Sequence, residues 1–183
     1  MNVYDFDKTI YDGDSSVHFY LFNLRQQPSL CKYVPSQLWA LIQYKMKKID
    51  KTQMKTIIYR YFQSIQEMDK RVEDFWRIHQ SKIQPWYTNQ KAKSDVIISA
   101  SPSFLLKPIT DELGIGLIAS EIDLPSGKNL RPNCYGEEKV VRFKEQYDIN
   151  EIDTFYSDSR SDDPMARLAK KAVLVKKDRL KPW

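Results

Sequence analysis

Asn2-Val3-Tyr4-Asp5-Phe6-Asp7-Lys8-Thr9 opens the chain with a short β-prone run that ends in two acids one residue apart and then a hydroxyl. Side chains alternate along a strand, so Asp5 and Asp7 point the same way from its carboxyl end, where two like charges raise each other's energy. A bound cation would remove that repulsion. A solvated acidic turn after an edge strand would account for the same residues, so the stretch takes its meaning from what lies downstream.

From Asp95 onward strands and helices alternate, the pattern of a parallel sheet covered by helices. Val96-Ile97-Ile98 reads as a buried strand ending at Ser99-Ala100-Ser101-Pro102, followed by a helix from about Ser103 to Leu113 and a strand at Leu117-Ile118-Ala119. An irregular stretch, Pro125 to Tyr135, precedes a helix from about Gly136 to Tyr147. Thr154-Phe155-Tyr156 is the next strand, running into Ser157-Asp158-Ser159-Arg160-Ser161-Asp162-Asp163; Pro164 opens a helix over Met165 to Lys171, and Ala172 to Val175 form the last strand before a basic tail. The fold class is therefore α/β, a Rossmann-like parallel sheet core flanked by helices. Ligands of such sheets lie outside the carboxyl ends of the strands, where Asp5, Ser99 and Asp158 would converge. Lys139 sits near the start of a helix, where the dipole disfavours a cation, so a purely surface role accounts poorly for it; it is available for an anion.

Residues 15–84 break this alternation and read as four helices inserted into a core made of residues 1–14 and 85–183. Ser15-Ser16 can cap a helix carrying Val17, Tyr20, Leu21 and Leu24, and Pro35 suits the first turn of a second with Leu38, Trp39, Leu41, Ile42 and Met46. The third spans about Thr52 to Ile65 and the fourth about Asp69 to Ser81.

The 183 residues suffice for one core with such an insert, and 42% hydrophobic content describes an ordinary folded protein. Net charge is +5 but unevenly placed: residues 15–95 carry 14 Lys and Arg against 6 Asp and Glu, the remainder 15 against 18. A basic insert over an acidic core would draw in an anion, although a solvated helical face has the same composition. Met1 lies almost on the first strand and no apolar run approaches the ~20 residues of a membrane span, so a cytoplasmic protein is expected. Cys31 and Cys134 lack metal-spaced partners and read as reduced packing thiols; His18 and His79 each stand alone in helical segments and read as structural.

Taken together, the chain resembles the haloacid dehalogenase superfamily of phosphotransferases at all four family motifs. Asp5-Phe6-Asp7-Lys8-Thr9 is similar to the first, Val96 to Ser99 to the second, Lys139 in Gly136-Glu137-Glu138-Lys139 to the third, and Asp158 with Asp162 to the acidic fourth. Ser157 departs from the Gly that many members carry there, and Asp163 competes with Asp162 as the second acid; the usual four-residue spacing favours Asp162. The helical insert between the first and second motifs resembles the cap of the phosphoserine-phosphatase-like branch. The resemblance implies a Mg²⁺-dependent phosphomonoesterase that acts on a small phosphorylated metabolite through an aspartyl-phosphate. Asp5 would be nucleophile and Asp7 the acid and base. Thr9, Ser99, Ala100 and Lys139 would bind or position the phosphoryl group, and Asp5, Asp7 (through its carbonyl), Asp158 and Asp162 would serve the metal.

Two other readings remain open at this point. Trp39, Tyr44, Tyr59, Tyr61, Phe62 and Trp76, beside Lys45, Lys47, Lys48 and Arg60, could meet anionic lipid, which would make the substrate a headgroup phosphate such as that of phosphatidylglycerophosphate. A non-catalytic basic binding module would explain the insert but not the acids. No nucleic-acid motif is present, so no nucleic acid is expected as a partner. Asp14 has two possible uses, to cap the first helix or to read a substrate amine.

Overall fold

The computed structural model describes residues 1–183. Its central strand is β1 (Asn2–Tyr4), which is flanked on one side by β2 (Val96–Pro102) and then β3 (Gly116–Ser120), and on the other by β6 (Thr154–Ser157), β7 (Lys171–Lys176) and β8 (Arg179–Pro182). All neighbours are parallel except β7 and β8. Because the chain leaves β1 in one direction and returns on its other side at β6, the strand order reverses at β1, and a crevice opens at the carboxyl ends there. Tyr4 is in register with both Ile97 and Tyr156, so Asp5, Ser99 and the turn after Ser157 emerge at one edge of the sheet.

Strand alternation divides the core into two faces. Val3, Val96, Ile98, Ile118 and Phe155 turn towards α7 (Glu137–Lys144) and α8 (Asp163–Ala166), with Phe143 and Met165 packed among them. Tyr4 and Ile97 turn the other way, towards α6 (Ser103–Leu113) and the short α5 (Pro85–Thr88). Tyr4 stacks on Tyr156 with centroids 4.6 Å apart and meets Tyr87 edge-on.

The insert comprises α1 (Ser15–Gln26), α2 (Val34–Lys45), α3 (Lys51–Tyr59) and α4 (Met68–His79). Asp14 caps α1 through Val17 N–H, and Asp50 with Gln53 forms a reciprocal capping box on α3. The second and third helices end earlier than their apolar stripes suggest, because Lys47 takes a left-handed φ of 56° and the chain beyond Tyr59 tightens to a 3₁₀ turn over Arg60–Ser64. The insert shares one hydrophobic cluster with the sheet. Phe19, Phe22, Phe75 and Trp76 pack with Phe6, Tyr11, Leu105 and Leu106, and Trp76 Nε1 donates to Leu105 O at 2.6 Å. Each fully buried aromatic here contributes ~1.5–3 kcal/mol of transfer free energy.

Several expectations need correction. The basic tail contains β8, which folds back antiparallel onto β7 through Lys177 in the left-handed region. The helix after Pro164 lasts only to Ala166 and that after Gly136 only to Lys144. The irregular stretch holds half of a small hairpin, β4 (Ile122–Asp123) with β5 (Lys128–Asn129), whose tip touches the end of α3: a Cβ on Gly127 would fall on the Tyr59 carbonyl. Asn129 Nδ2 reaches Thr56 Oγ1 at 3.0 Å, tying insert to core. His18 and His79 are not isolated: their rings lie 5.8 Å apart, and His18 Nδ1 shares a 2.7 Å hydrogen bond with Tyr11 OH. The aromatic stripe divides, Tyr59, Tyr61, Phe62 and Trp76 being buried and Trp39 and Tyr44 exposed. Cys31 and Cys134 are free thiols, and no helix is long and apolar enough to cross a membrane.

Candidate active site

Asp5 leaves β1 with its N–H still donating to Tyr156 O, so its backbone is fixed by the sheet. Phe6 O then accepts the N–H groups of Ile10 and Tyr11, winding the chain into a tight turn, and Lys8 sits at φ 58° with its N–H on Gly13 O at 2.8 Å. A non-glycine residue held in that region is sustained by surrounding contacts, as at many functional turns. The turn presents Asp7 beside the amino end of α1.

Lys139 is 1% exposed, and its Nζ lies 2.7 Å from Asp5 Oδ1 and 2.8 Å from Asp162 Oδ2. The same Asp162 oxygen accepts from Ser157 Oγ, whereas Asp162 Oδ1 is buried without a partner. Burial pushes the Asp5 carboxyl up to about 7; the Lys139 ammonium pulls against this and Asp162 adds to it. Although burial alone would neutralise Lys139, the two carboxylates outweigh it and hold its pKa above the usual lysine value. Asp7 is held by Ser15 N–H at 2.6 Å and Ser101 Oγ at 2.5 Å; burial, then Asp14, moves it up to about 6. Burial also raises Asp158.

Asp5, Asp7, Ser99, Ala100, Lys139, Asp158 and Asp162 all line one cavity of about 790 Å³ between sheet and insert. Thr9 does not. It is fully buried behind Asp5, where its Oγ1 accepts Asp158 N–H at 3.0 Å and lies 3.4 Å from Asp5 Oδ2, so it braces two strand ends. Asp162 faces the cavity, while Asp163 accepts from Trp183 Nε1 at the start of α8. Asp14 both caps α1 and lines the cavity.

Four participants escape the sequence reading. Lys55 projects from α3 to donate to Ala100 O at 2.6 Å, and Lys51, one turn earlier, stands over the Tyr135 ring at 3.2 Å. Both line the cavity, neither has a carboxylate in ion-pair range, and burial lowers each to about 8. Their i, i+4 spacing beside Met54 and Ile58 was the available signal, masked by the general basicity of the insert. Ser15 and Ser101 were legible only as a helix cap and a strand end.

The donors suit a hard cation. Asp5 and Asp158 have lost solvation, Asp162 Oδ1 is unpartnered, and oxygen-only sets select Mg²⁺ over softer metals. No three acidic, His or Cys side chains form a cage unaided; the expected set needs only two carboxylates beside the Asp7 carbonyl. Away from this polar floor the cavity turns apolar, lined by Val17, Tyr20 and Leu24 of α1, Val34, Leu38 and Leu41 of α2, and Ile58 of α3.

Among curated protein sequences no relative matches the chain. Solved structures of similar fold include a protein of unknown function from Bordetella pertussis Tohama I (TM-score 0.78, 18% identity, covering 95% of this chain and 88% of that one). A phosphoserine phosphohydrolase-like protein from Francisella tularensis subsp. tularensis SCHU S4 is also similar (0.57, 14%, 95% and 87%), as is cytosolic 5'-nucleotidase IIIB bound to cytidine (0.56, 13%, 91% and 68%). The family model for haloacid dehalogenase-like hydrolases matches residues 3–167. With that match spanning the sheet, the insert and every acid at the strand ends, the chain belongs to the haloacid dehalogenase-like hydrolases.

Proposed function

We propose that this enzyme is a Mg²⁺-dependent phosphomonoesterase that works through a phosphorylated Asp5. The observation that carries the reading is the buried Asp5–Lys139–Asp162 triad at the floor of a cavity that also holds a second, separately tethered carboxylate, Asp7. One Asp5 oxygen attacks phosphorus and the P–O bond to the substrate oxygen breaks, as Asp7 delivers its proton to that oxygen. Asp7 then takes a proton from water, whose oxygen attacks the aspartyl-phosphate; inorganic phosphate leaves and Asp5 is restored. A carboxyl with a pKa of about 6 can do both near neutrality. Ser99 and the backbone at Ala100 would hold phosphoryl oxygens, and Lys139 would offset their charge. Asp5, Asp158 and the Asp7 carbonyl would hold Mg²⁺, with Asp162 orienting nearby; the ion would neutralise charge on the transferring group.

The simplest substrate is a small phosphorylated metabolite in the cytoplasm, a compartment that suits two free thiols. A specific observation favours a second reading, a lipid headgroup phosphate: the apolar half of the cavity matches an acyl substituent better than a polar metabolite. The rival of a non-catalytic module falls with membership of a hydrolase family. The test is phosphate release from a panel of monoesters with Mg²⁺, wild type beside Asp5→Asn. Release by neither protein, or equal release by both, would remove the proposal.

A further inference from the structure

We propose that the outer face of α1 and α2 docks on the surface of an anionic lipid bilayer, opening the apolar half of the cavity to the acyl region. The inference rests on the lipid reading above and extends it to a surface.

The helix α2 is amphipathic the wrong way round for a soluble cap. Leu38, Trp39, Ile42 and Met46 follow at helical spacing and are 46–57% exposed, while Gln37 is buried and donates to Ile58 O. Val17 and Leu21 add an exposed apolar strip on α1. Single exposed apolar residues mean little, but these six on two neighbouring helices form a patch that needs an occupant. Two observations identify it.

First, the patch and the cavity are continuous: Val17, Leu38 and Leu41 line the cavity and are also 40–56% exposed, so its apolar wall runs out to the surface. A chain held in the bilayer could enter there while its phosphate reached Asp5. Secondly, the charge fits. Residues 15–49 contain no Asp or Glu but five bases, Arg25, Lys32, Lys45, Lys47 and Lys48, all exposed. Three of these cluster at the end of α2 around Met46. Apolar residues flanked by lysines are the composition of an interfacial helix on anionic lipid.

The test is co-sedimentation of the full chain with phosphatidylcholine vesicles with and without 30% phosphatidylglycerol, as a function of salt. Binding is expected only to the anionic vesicles and should weaken with salt. It should fall by about tenfold or more in Trp39→Glu/Ile42→Glu and in Lys45→Glu/Lys47→Glu/Lys48→Glu. None of these five residues lines the cavity, so both variants should hydrolyse p-nitrophenyl phosphate in solution as wild type does, which also reports that they fold. Phosphate release from vesicles containing phosphatidic acid should drop in parallel with binding. Absence of binding by the wild type, or binding that survives both variants, would overturn the proposal, as would a wild-type dimer dissociated by Trp39→Glu/Ile42→Glu, which would give the face to a second copy. Loss of p-nitrophenyl phosphate turnover by the wild type itself would instead count against the phosphatase reading. Vesicle binding without turnover of phosphatidic acid would leave the surface and reject the lipid substrate.

Discussion

Lys139 Nζ stands 2.7 Å from Asp5 Oδ1, with the lysine side chain 2% exposed and the aspartate 12%. A desolvated ion pair is weak evidence of stability in itself, but removing one partner strands the others. Lys139→Met leaves the Asp5 and Asp162 carboxylates buried without a cation and should destabilise the protein by about 3–5 kcal/mol. The double variant Lys139→Met/Asp162→Asn should recover part of that loss without recovering activity. Urea unfolding of both, beside wild type, checks the prediction; a single variant as stable as wild type would contradict the ion triad.

Ser101 tunes Asp7. Its hydroxyl donates to the ionised form and so lowers the Asp7 pKa, opposing burial and Asp14, which raise it. Ser101→Ala should therefore raise that pKa by about one unit, the value expected for one hydrogen bond to a charged group. Asp7 must be ionised to take a proton from water, so the acid limb of the kcat profile should move to higher pH by the same amount. A pH series with p-nitrophenyl phosphate measures it, and an unmoved limb would deny Asp7 the role of base.

The catalytic floor was legible because strand ends are encoded locally: a β-prone run followed by a polar residue places that residue at the crevice whatever surrounds it. Asp5, Ser99 and Asp158 follow this logic; Lys139 was legible by another route, as a cation near the start of α7 where the dipole disfavours it, and the family resemblance implied a role for each. Thr9, adjacent in sequence, was legible as a member of the motif but not in its contact, since its hydroxyl turns inward to brace Asp158. Lys51 and Lys55 were hidden because their function depends on how the insert folds over the core, through contacts such as Asn129 to Thr56 that no local pattern announces. The β8 strand was missed for the same reason: Arg179-Leu180-Lys181-Pro182 is four residues long, exposed throughout and ends in a proline, and it is recruited by the free edge of β7.

Lys55 should govern substrate affinity more than turnover. It reaches the site from α3 and has no anion of its own, so a negative group on the substrate would complete it. Lys55→Met should raise KM about tenfold or more, the equivalent of ~1.5–3 kcal/mol for a lost charge-assisted hydrogen bond, with kcat little changed. Because burial lowers Lys51 and Lys55 to about 8, their charge is present below that pH and lost above it. Wild-type KM should accordingly rise above pH 8, and Lys55→Met should flatten that rise. Steady-state kinetics from pH 6 to 9.5 distinguishes this from a lysine that only packs.

Insert and core should unfold together. Trp76 packs against Phe6 and Tyr11 of the catalytic turn and donates to Leu105 O, so α4 and α6 share one cluster. Trp76→Phe keeps most of the apolar area but loses the indole N–H hydrogen bond to Leu105 O, and should destabilise by about 0.5–1.5 kcal/mol. The transition should stay single in circular dichroism and in fluorescence; two resolved transitions would mean that the insert is an independent unit.

Mg²⁺ should stabilise the fold even without substrate. Asp5 and Asp158 are carboxylates whose burial disfavours their charge, and Asp162 Oδ1 lacks any partner, so a divalent cation among them relieves an electrostatic penalty that the apo protein bears. A ligand that binds only the folded state adds about 2.7 kcal/mol at a hundred times its Kd. Thermal unfolding should therefore shift upward with Mg²⁺ and return with EDTA. Asp158→Asn removes a charged oxygen donor and should abolish most of the shift, whereas Asp163→Asn, whose side chain faces Trp183, should leave it intact. Equal shifts in the two variants would assign the cation to another place.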